Sequence, residues 1–518
     1  MNRSVVVLYT WLVCLLSMQA QTRQQMGGIY CAYPEGPSAL TGTFGTDSCC
    51  TLASSKISLD ASSRTSNNVS SRTSFDASPI VSSNDTLNPL PAGFAPFYIS
   101  HYGRHGSRWM AHDERYVWIC SHFEDEGNLT PLGLQVKGML DRLWENARGN
   151  GGKLTRLGEL QHQGIAYRMF AHYPQIFAAG HRVQARSSVV DRCAKSMLAL
   201  TSELHTLQPQ LNLDVKTDSA DMAWIAYVSP EIKALQKRTY VVAQISPDRF
   251  LRQLFKDISK IDEPMKLMSE MHAITSSIQD VGLNFLAYPL DIEEALNALF
   301  TDEEFRAIYE ANNHRMTIVN GNDPTNESIP ARCAIPLWQN IEAEAEAALH
   351  SRQTSATLRF GHDTALYRLL SLLFNTAHLP PGAKDDEDQV VLGDDVDKMD
   401  RVVPMAANLQ MIFYKNAQDS VLVKFMLNEK DIRMNILSQV EYGTCYYPWN
   451  RWKKQMHERI HRLEHVRQLN AINTMVGTAQ ANTQSAGLFG KGSEEHGQTL
   501  PASFPALRQH HKDRLSGG

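Results

Sequence analysis

Apolar residues recur along this chain in two alternating patterns, short runs and helical steps. "FYIS" (97–100), "HRVQARSS" (181–188) and "ATLRF" (356–360) read as strands. The second is followed by "VVDRCAKSMLALTSEL" (189–204), which has helical spacing. The third is followed by Leu366, Leu369, Leu370 and Leu373, a stripe on one helix face. "TRLGELQHQGIAYRMF" (155–170) is also helix-like. "NLQMIFYK" (408–415) and "VLVKFMLN" (421–428) flank the polar "NAQDS" and predict a hairpin. The stretch 230–350 is mostly helical in pattern, broken by Pro, Asn and Gly at 320–333. Strands alternating with helices predict an α/β fold, with a mainly parallel sheet flanked by helices and a mostly α-helical cap domain inserted in it.

The chain length, 518 residues, fits one large fold with an insertion or two structural units. We divide it into a leader (1–20), an N-terminal segment (21–88), a first α/β part (89–204), the helical cap (205–345), a second α/β part (346–470) and a flexible tail (471–518). The leader reading rests on Arg3, the apolar run Val5 to Leu16 and the small residue Ala20 before a cut at Gln21. That run is too short to favour a spanning helix, and no stable membrane insertion is expected. The mature protein is then secreted or periplasmic, where disulfides are permitted. Seven cysteines follow the leader (Cys31, Cys49, Cys50, Cys120, Cys193, Cys333 and Cys445), an odd count whose pairing sequence cannot give. Residues 51–87 are Ser/Thr-rich and read as a flexible insertion; 384–400 form an acidic surface loop. The formal charge of −5 gives no reason to expect nucleic-acid binding, so any anion site must be a local cluster of arginines.

Such clusters follow each strand. The first loop is His101 to Arg108, the second Arg186 to Arg192, and the third "RFGHDTAL", with His362 and Asp363 just before the leucine stripe. Loops at the carboxyl ends of strands converge on one crevice, and helix N-termini there favour an anion. Arg104, Arg108 and Arg192 are permanent cations whose planar forks suit phosphate oxygens. His105 is the candidate nucleophile, flanked by two arginines, with Gly106 allowing the turn. Asp363 is the candidate acid for the leaving group, its pKa raised by the incoming phosphate. His362 adds a second imidazole. Arg186 is a rival or support for Arg192, and His101 either backs the residues that touch the substrate or lies on the substrate side itself. No metal and no cofactor is required, and the expected partner is a small phosphorylated molecule.

"RHGSR" (104–108), "RSSVVDRCAKSM" (186–197) and "HD" (362–363), in that order, resemble the histidine acid phosphatase family, the clade that includes phytases. "GGIYCAYP" (27–34) and "PFYISHYGRHGSRW" (96–109) further resemble its bacterial multiple inositol-polyphosphate phosphatase-like members. The resemblance spans residues 26–470 apart from the Ser/Thr-rich insertion. It implies the histidine phosphatase fold and hydrolysis of phosphate monoesters through a phosphohistidine, with inositol phosphates as substrates. Arg104, His105 and Arg108 match the family's first motif, Arg192 the middle arginine, and His362 with Asp363 the last motif. Two departures stand out. Trp109-Met110 replaces the proline after the second arginine, and His362-Asp363-Thr364 stands where multiple-type enzymes carry His-Ala-Glu. The alternatives are a broad acid phosphatase without inositol preference, or a phosphate-binding protein without turnover.

Overall fold

The first strand outruns its apolar stretch. β1 (Ala95–Arg104) continues through His101, Tyr102 and Gly103, and every residue from Tyr98 onward is buried. Pairing on both sides satisfies its backbone, which carries the polar end into the interior. The structure, a computed structural model, describes residues 23, 25–33, 90–351, 353–374, 399–432, 445–465 and 467–468. The leader, the Ser/Thr-rich stretch, residues 384–398 of the acidic loop and the tail from 471 lie outside the described residues.

In chain order the elements used below are β1, α1 (Asp113–Ser121), α2 (Pro131–Ala147), α3 (Arg156–His172), β2 (Arg182–Ser187), α4 (Asp191–Leu207), β3 (Asn212–Thr217), α5 (Pro230–Arg238), α6 (Asp248–Leu254), α7 (Pro264–Val281), α8 (Leu290–Ala298), α9 (Asp302–Asn320), α10 (Ile335–Ser351), β4 (Thr354–Gly361), α11 (Asp363–Leu373), β5 (Asn408–Lys415), β6 (Val421–Leu427), β7 (Lys430–Asp431) and β8 (Tyr447–Pro448). The strands form one sheet in the order β3-β2-β4-β1-β5-β6-β7, with β8 paired to β6. β3, β2, β4 and β1 are parallel; β5 and the strands beyond it pair antiparallel, β5 and β6 as the expected hairpin. The sheet is therefore mixed, flanked by helices.

Register matters for the site. Arg104 pairs with Gly361 of β4, and Ser187 of β2 with Phe360 of β4. Three parallel strands thus end almost level, and their following loops leave from one edge. The helices that follow β2 and β4, α4 and α11, are amphipathic. In α11 the predicted leucines 366, 369, 370 and 373 are all buried. In α2, Thr130 caps the first turn, Pro131 sits at its start, and Val136, Leu140, Leu143 and Ala147 form the buried stripe.

Two cores result. Ile99, Val183, Ala185, Leu358, Phe360 and Ile412 of the sheet pack with Ile165 of α3 and Met197 and Leu200 of α4. A second core joins Tyr116 and Ile119 of α1 and Leu140 of α2 to Phe250 of α6, Met271 and Ile278 of α7 and Phe305 of α9. Two adjustments to the expected partition follow. β3 falls inside the segment read as cap yet joins the sheet, and α1 and α2, read with the first α/β part, share the cap's core. The described residues up to Ile460 pack as one unit; those from His461 onward belong to a second.

The N-terminal residues 25–33 form a strap against this body. Met26 and Tyr33 are buried. Arg23 donates to the carbonyls of Asn297 and Phe300 and pairs with Asp302 at 2.7 Å. The Tyr33 hydroxyl donates to Glu429 at 2.9 Å, and Arg168 of α3 grips the same carboxylate at 2.7 Å. Cys120, Cys193 and Cys333 are free thiols. No described helix is long and apolar enough to cross a membrane.

Candidate active site

Arg104 is the last residue of β1, and the loop beyond it is pinned on several sides. The Arg104 amide donates to Ala407 at 2.7 Å, the His105 amide to Gly361 at 3.0 Å, and the Gly106 amide to Ser196 Oγ at 3.0 Å. Gly106 is needed for a reason other than the expected turn. A Cβ there would lie 2.5 Å from the Gly158 carbonyl oxygen, so the loop can touch the start of α3 only without a side chain. Ser107 is clasped as well: Gln161 accepts from its amide at 2.8 Å and donates to its hydroxyl at 2.9 Å.

His105 is almost completely buried. Its Nδ1 lies 2.9 Å from the Gly106 carbonyl oxygen. A carbonyl only accepts, so Nδ1 carries the proton and Nε2 keeps its lone pair. Burial first, then Arg104, Arg192, Arg108 and His362, push its pKa well below the ordinary imidazole value. The ring is therefore neutral and nucleophilic where a free histidine would be protonated.

The guanidinium groups around it have unused donors. Arg104 is fully buried; Nη1 donates to the Val403 carbonyl at 2.6 Å, Nη2 is ion-paired with Asp363 at 3.4 Å, and Nε has no hydrogen-bond acceptor. Arg108 Nη1 donates to the Trp109 carbonyl at 2.8 Å and its Nε has no acceptor. Its guanidinium carbon lies 5.8 Å from the centre of the Tyr30 ring, and the Tyr30 hydroxyl accepts from Arg115 at 2.7 Å. Arg192, in the first turn of α4, also has a buried Nε without an acceptor. Buried cationic donors facing no protein acceptor are what an oxyanion ligand would satisfy.

The third loop completes the group. The His362 ring centre lies 5.7 Å from that of His105. Burial, then Arg192, lower its pKa to about 4, with Asp363 opposing. Asp363 opens α11, with His362 rather than itself at the cap position. One carboxylate oxygen accepts from the Thr364 amide at 2.8 Å; the other lies 3.4 Å from Arg104 Nη2. Burial pushes this carboxyl up, but Arg104, then His362, outweigh it and hold it below its usual value. In the free protein Asp363 is thus ionised, and an anion on Arg104 would have to offset that pull before it could act as an acid.

Arg104, His105, Arg108, Arg192, His362 and Asp363 therefore cluster where the three loops meet. Two expected residues lie elsewhere. Arg186 pairs with Asp214 of β3 at 2.9 Å and donates to its carbonyl at 2.7 Å, a cross-strand role. His101 is buried in β1, its ring 5.3 Å from that of Phe360 and against Gly103; burial lowers its pKa to about 3. It packs within the sheet behind the arginine loop. Trp109 and Met110 turn into the cap core. Tyr30, Gln161 and Asp280, which contact the loop, were not singled out in sequence. They lie far from it along the chain, and only Tyr30 sits in a stretch with a recognisable signal.

Three comparisons show what the chain is similar to. The model of the histidine phosphatase superfamily (branch 2) matches residues 140–428, which include Arg192, His362 and Asp363 and begin after the arginine loop. Multiple inositol polyphosphate phosphatase 1 of Gallus gallus is 22% identical over 370 residues, 66% of this chain and 78% of that protein. The multiple inositol polyphosphate phosphatase of Bifidobacterium longum, solved with inositol hexasulfate, superposes with a TM-score of 0.56 at 17% identity, covering 73% of this chain and 96% of that one. The phytase of D. castellii gives a TM-score of 0.50 at 13% identity, over 72% of this chain and 81% of that one. With the family model matching more than half of its length, the chain belongs to branch 2 of the histidine phosphatase superfamily and is a phosphoric monoester hydrolase.

Proposed function

We propose that this protein is an exported phosphatase that removes phosphate from inositol polyphosphates through a phosphohistidine at His105. The observation that carries the reading is the neutral His105 ring, its Nε2 lone pair free, beside arginines with unused donors. Arg104, Arg108 and Arg192 would hold the equatorial oxygens. Each well-aimed donor is worth roughly 3 kcal/mol of barrier on the scale of oxyanion-hole deletions.

In the first step the Nε2 lone pair attacks phosphorus. The ester P–O bond breaks, and its electron pair leaves on the alcohol oxygen, which takes a proton from Asp363. Bound phosphate first raises the Asp363 pKa by offsetting Arg104. In the second step water attacks phosphorus and gives its proton to Asp363, and the P–N electron pair returns to Nε2. His362 donates to a phosphate oxygen. No step uses a metal.

The inositol preference is supported by the names of the chicken and Bifidobacterium longum relatives and by the inositol hexasulfate bound in the latter. Export is supported by the leader pattern at residues 1–20. The partition into two α/β parts around a helical cap is proposed with the adjustments given above.

The test compares phosphate release from inositol hexakisphosphate and from p-nitrophenyl phosphate, with and without chelator. His105→Ala should abolish release from both, and Asp363→Asn should accumulate an acid-labile phosphoenzyme. Substantial turnover by His105→Ala would remove the nucleophile from the scheme. Equal efficiency on both substrates would leave a broad acid phosphatase.

A further inference from the structure

The cap reaches the arginine loop through one side chain that the scheme above does not use. Asp280, near the end of α7, is fully buried. Its Oδ1 accepts from the Ser107 hydroxyl at 2.6 Å, while its Oδ2 has no hydrogen-bond partner among the described residues. Ser107 stands between Gly106 and Arg108, so this carboxyl touches the middle of the loop that carries the cationic donors.

The charged groups facing Asp280 are few. Arg104 and Arg108 approach from the loop. α3 contributes the neutral Gln161, which holds the same Ser107. Tyr288, beyond the end of α7, is within electrostatic reach, and burial keeps its phenol protonated. Burial raises the Asp280 carboxyl to about 7; the Ser107 hydrogen bond, Arg104 and Arg108 oppose the rise without cancelling it. Near neutral pH the group exists in both forms.

The two forms differ in what they leave to a ligand. An ionised Asp280 offsets part of the charge on Arg104 and Arg108. A protonated one leaves that charge to an incoming anion, with the proton on the unpartnered Oδ2. An anion on the arginines in turn repels the carboxylate and favours its protonation, because linkage is reciprocal. We propose that Asp280 is a positioning residue of the arginine loop whose protonation is coupled to anion binding there. The proposal rests on the reading that Arg104 and Arg108 hold the phosphate.

Titration calorimetry of the full chain with inorganic sulfate tests it. Sulfate remains a dianion across the range, so a proton taken up belongs to the protein. Asp280→Asn keeps an acceptor for Ser107 and loses the charge. The wild type should bind sulfate with uptake of a fraction of a proton near neutral pH, and about tenfold more weakly at about pH 8 than at about pH 5.5. Asp280→Asn should lose most of that uptake and bind several-fold more tightly than the wild type at the higher pH only. Ser107→Ala, which removes a bond favouring the ionised form, should move the break to higher pH, and it decides the matter if Asp280→Asn does not fold. A pH dependence left unchanged by these substitutions overturns the coupling. Arg108→Ala separates the two readings: if it binds sulfate as the wild type does, or if the wild type binds none, the phosphate site itself is misplaced.

Discussion

His105 owes its reactivity to its neighbours rather than to its own chemistry. Burial and the nearby arginines disfavour its protonated form, so the neutral ring is lost only as pH falls through a pKa well below the ordinary imidazole value. A profile of log kcat/KM against pH should therefore show no acid limb near 6.5; a limb there, retained in Asp280→Asn, would contradict the assigned environment. Gly106 makes a sharper prediction. A methyl group at that position meets the Gly158 backbone, which cannot swing away as a side chain would. Gly106→Ala should lose about 1–3 kcal/mol of stability by denaturant titration and most of its turnover. The residues of this loop were legible because the motif is local: five adjacent positions, Arg104 to Arg108, carry nucleophile, clamps and close approach together. His101 and Arg186 were not placed by the same reading. Their roles depend on what lies across the sheet, Phe360 for one and Asp214 for the other.

Among elements, the level ends of β1, β2 and β4 do most to build the site. A slip of one residue in β1 would turn every side chain of its end to the opposite face, and the buried pattern of the strand opposes such a slip. The helices that follow were readable because their apolar spacing is regular, as in α11. β3 was not, because only Leu213 and Val215 alternate with its polar residues, too short a pattern at an edge strand to stand out. The reach of β1 to Arg104 was missed because polar residues enter a strand here through pairing on both edges, which periodicity does not record. The strap is held by an ion pair that can be tested. Glu429 accepts from Tyr33 and Arg168, both carboxylate and guanidinium being largely buried. Glu429→Ala removes that carboxylate partner of Arg168 and should lower stability by about 3 kcal/mol, read as a fall in Tm.

At the scale of the whole molecule, the described residues build two large cores and place the chemistry at the carboxyl ends of inner strands, where the cap core meets them. Trp109 and Met110 leave the arginine loop to enter the cap core, and Asp280 returns from the cap to the loop. The overall α/β class and the helical insertion could be read from pattern alone. That α1 and α2 side with the cap could not, since nothing in a local spacing says which of two cores a helix face will meet. Tyr30 carries the last consequence. This ring lies against Arg108 and anchors Arg115, yet it belongs to a short stretch that precedes the sheet by more than sixty positions. A chain begun at residue 90 should therefore fold its sheet and turn over poorly. A synthetic peptide covering residues 21–33 should restore activity in a saturable way, and the same peptide with Ala at Tyr30 should not. The amino-terminal fragment would then behave as a detachable cofactor made of the protein's own sequence.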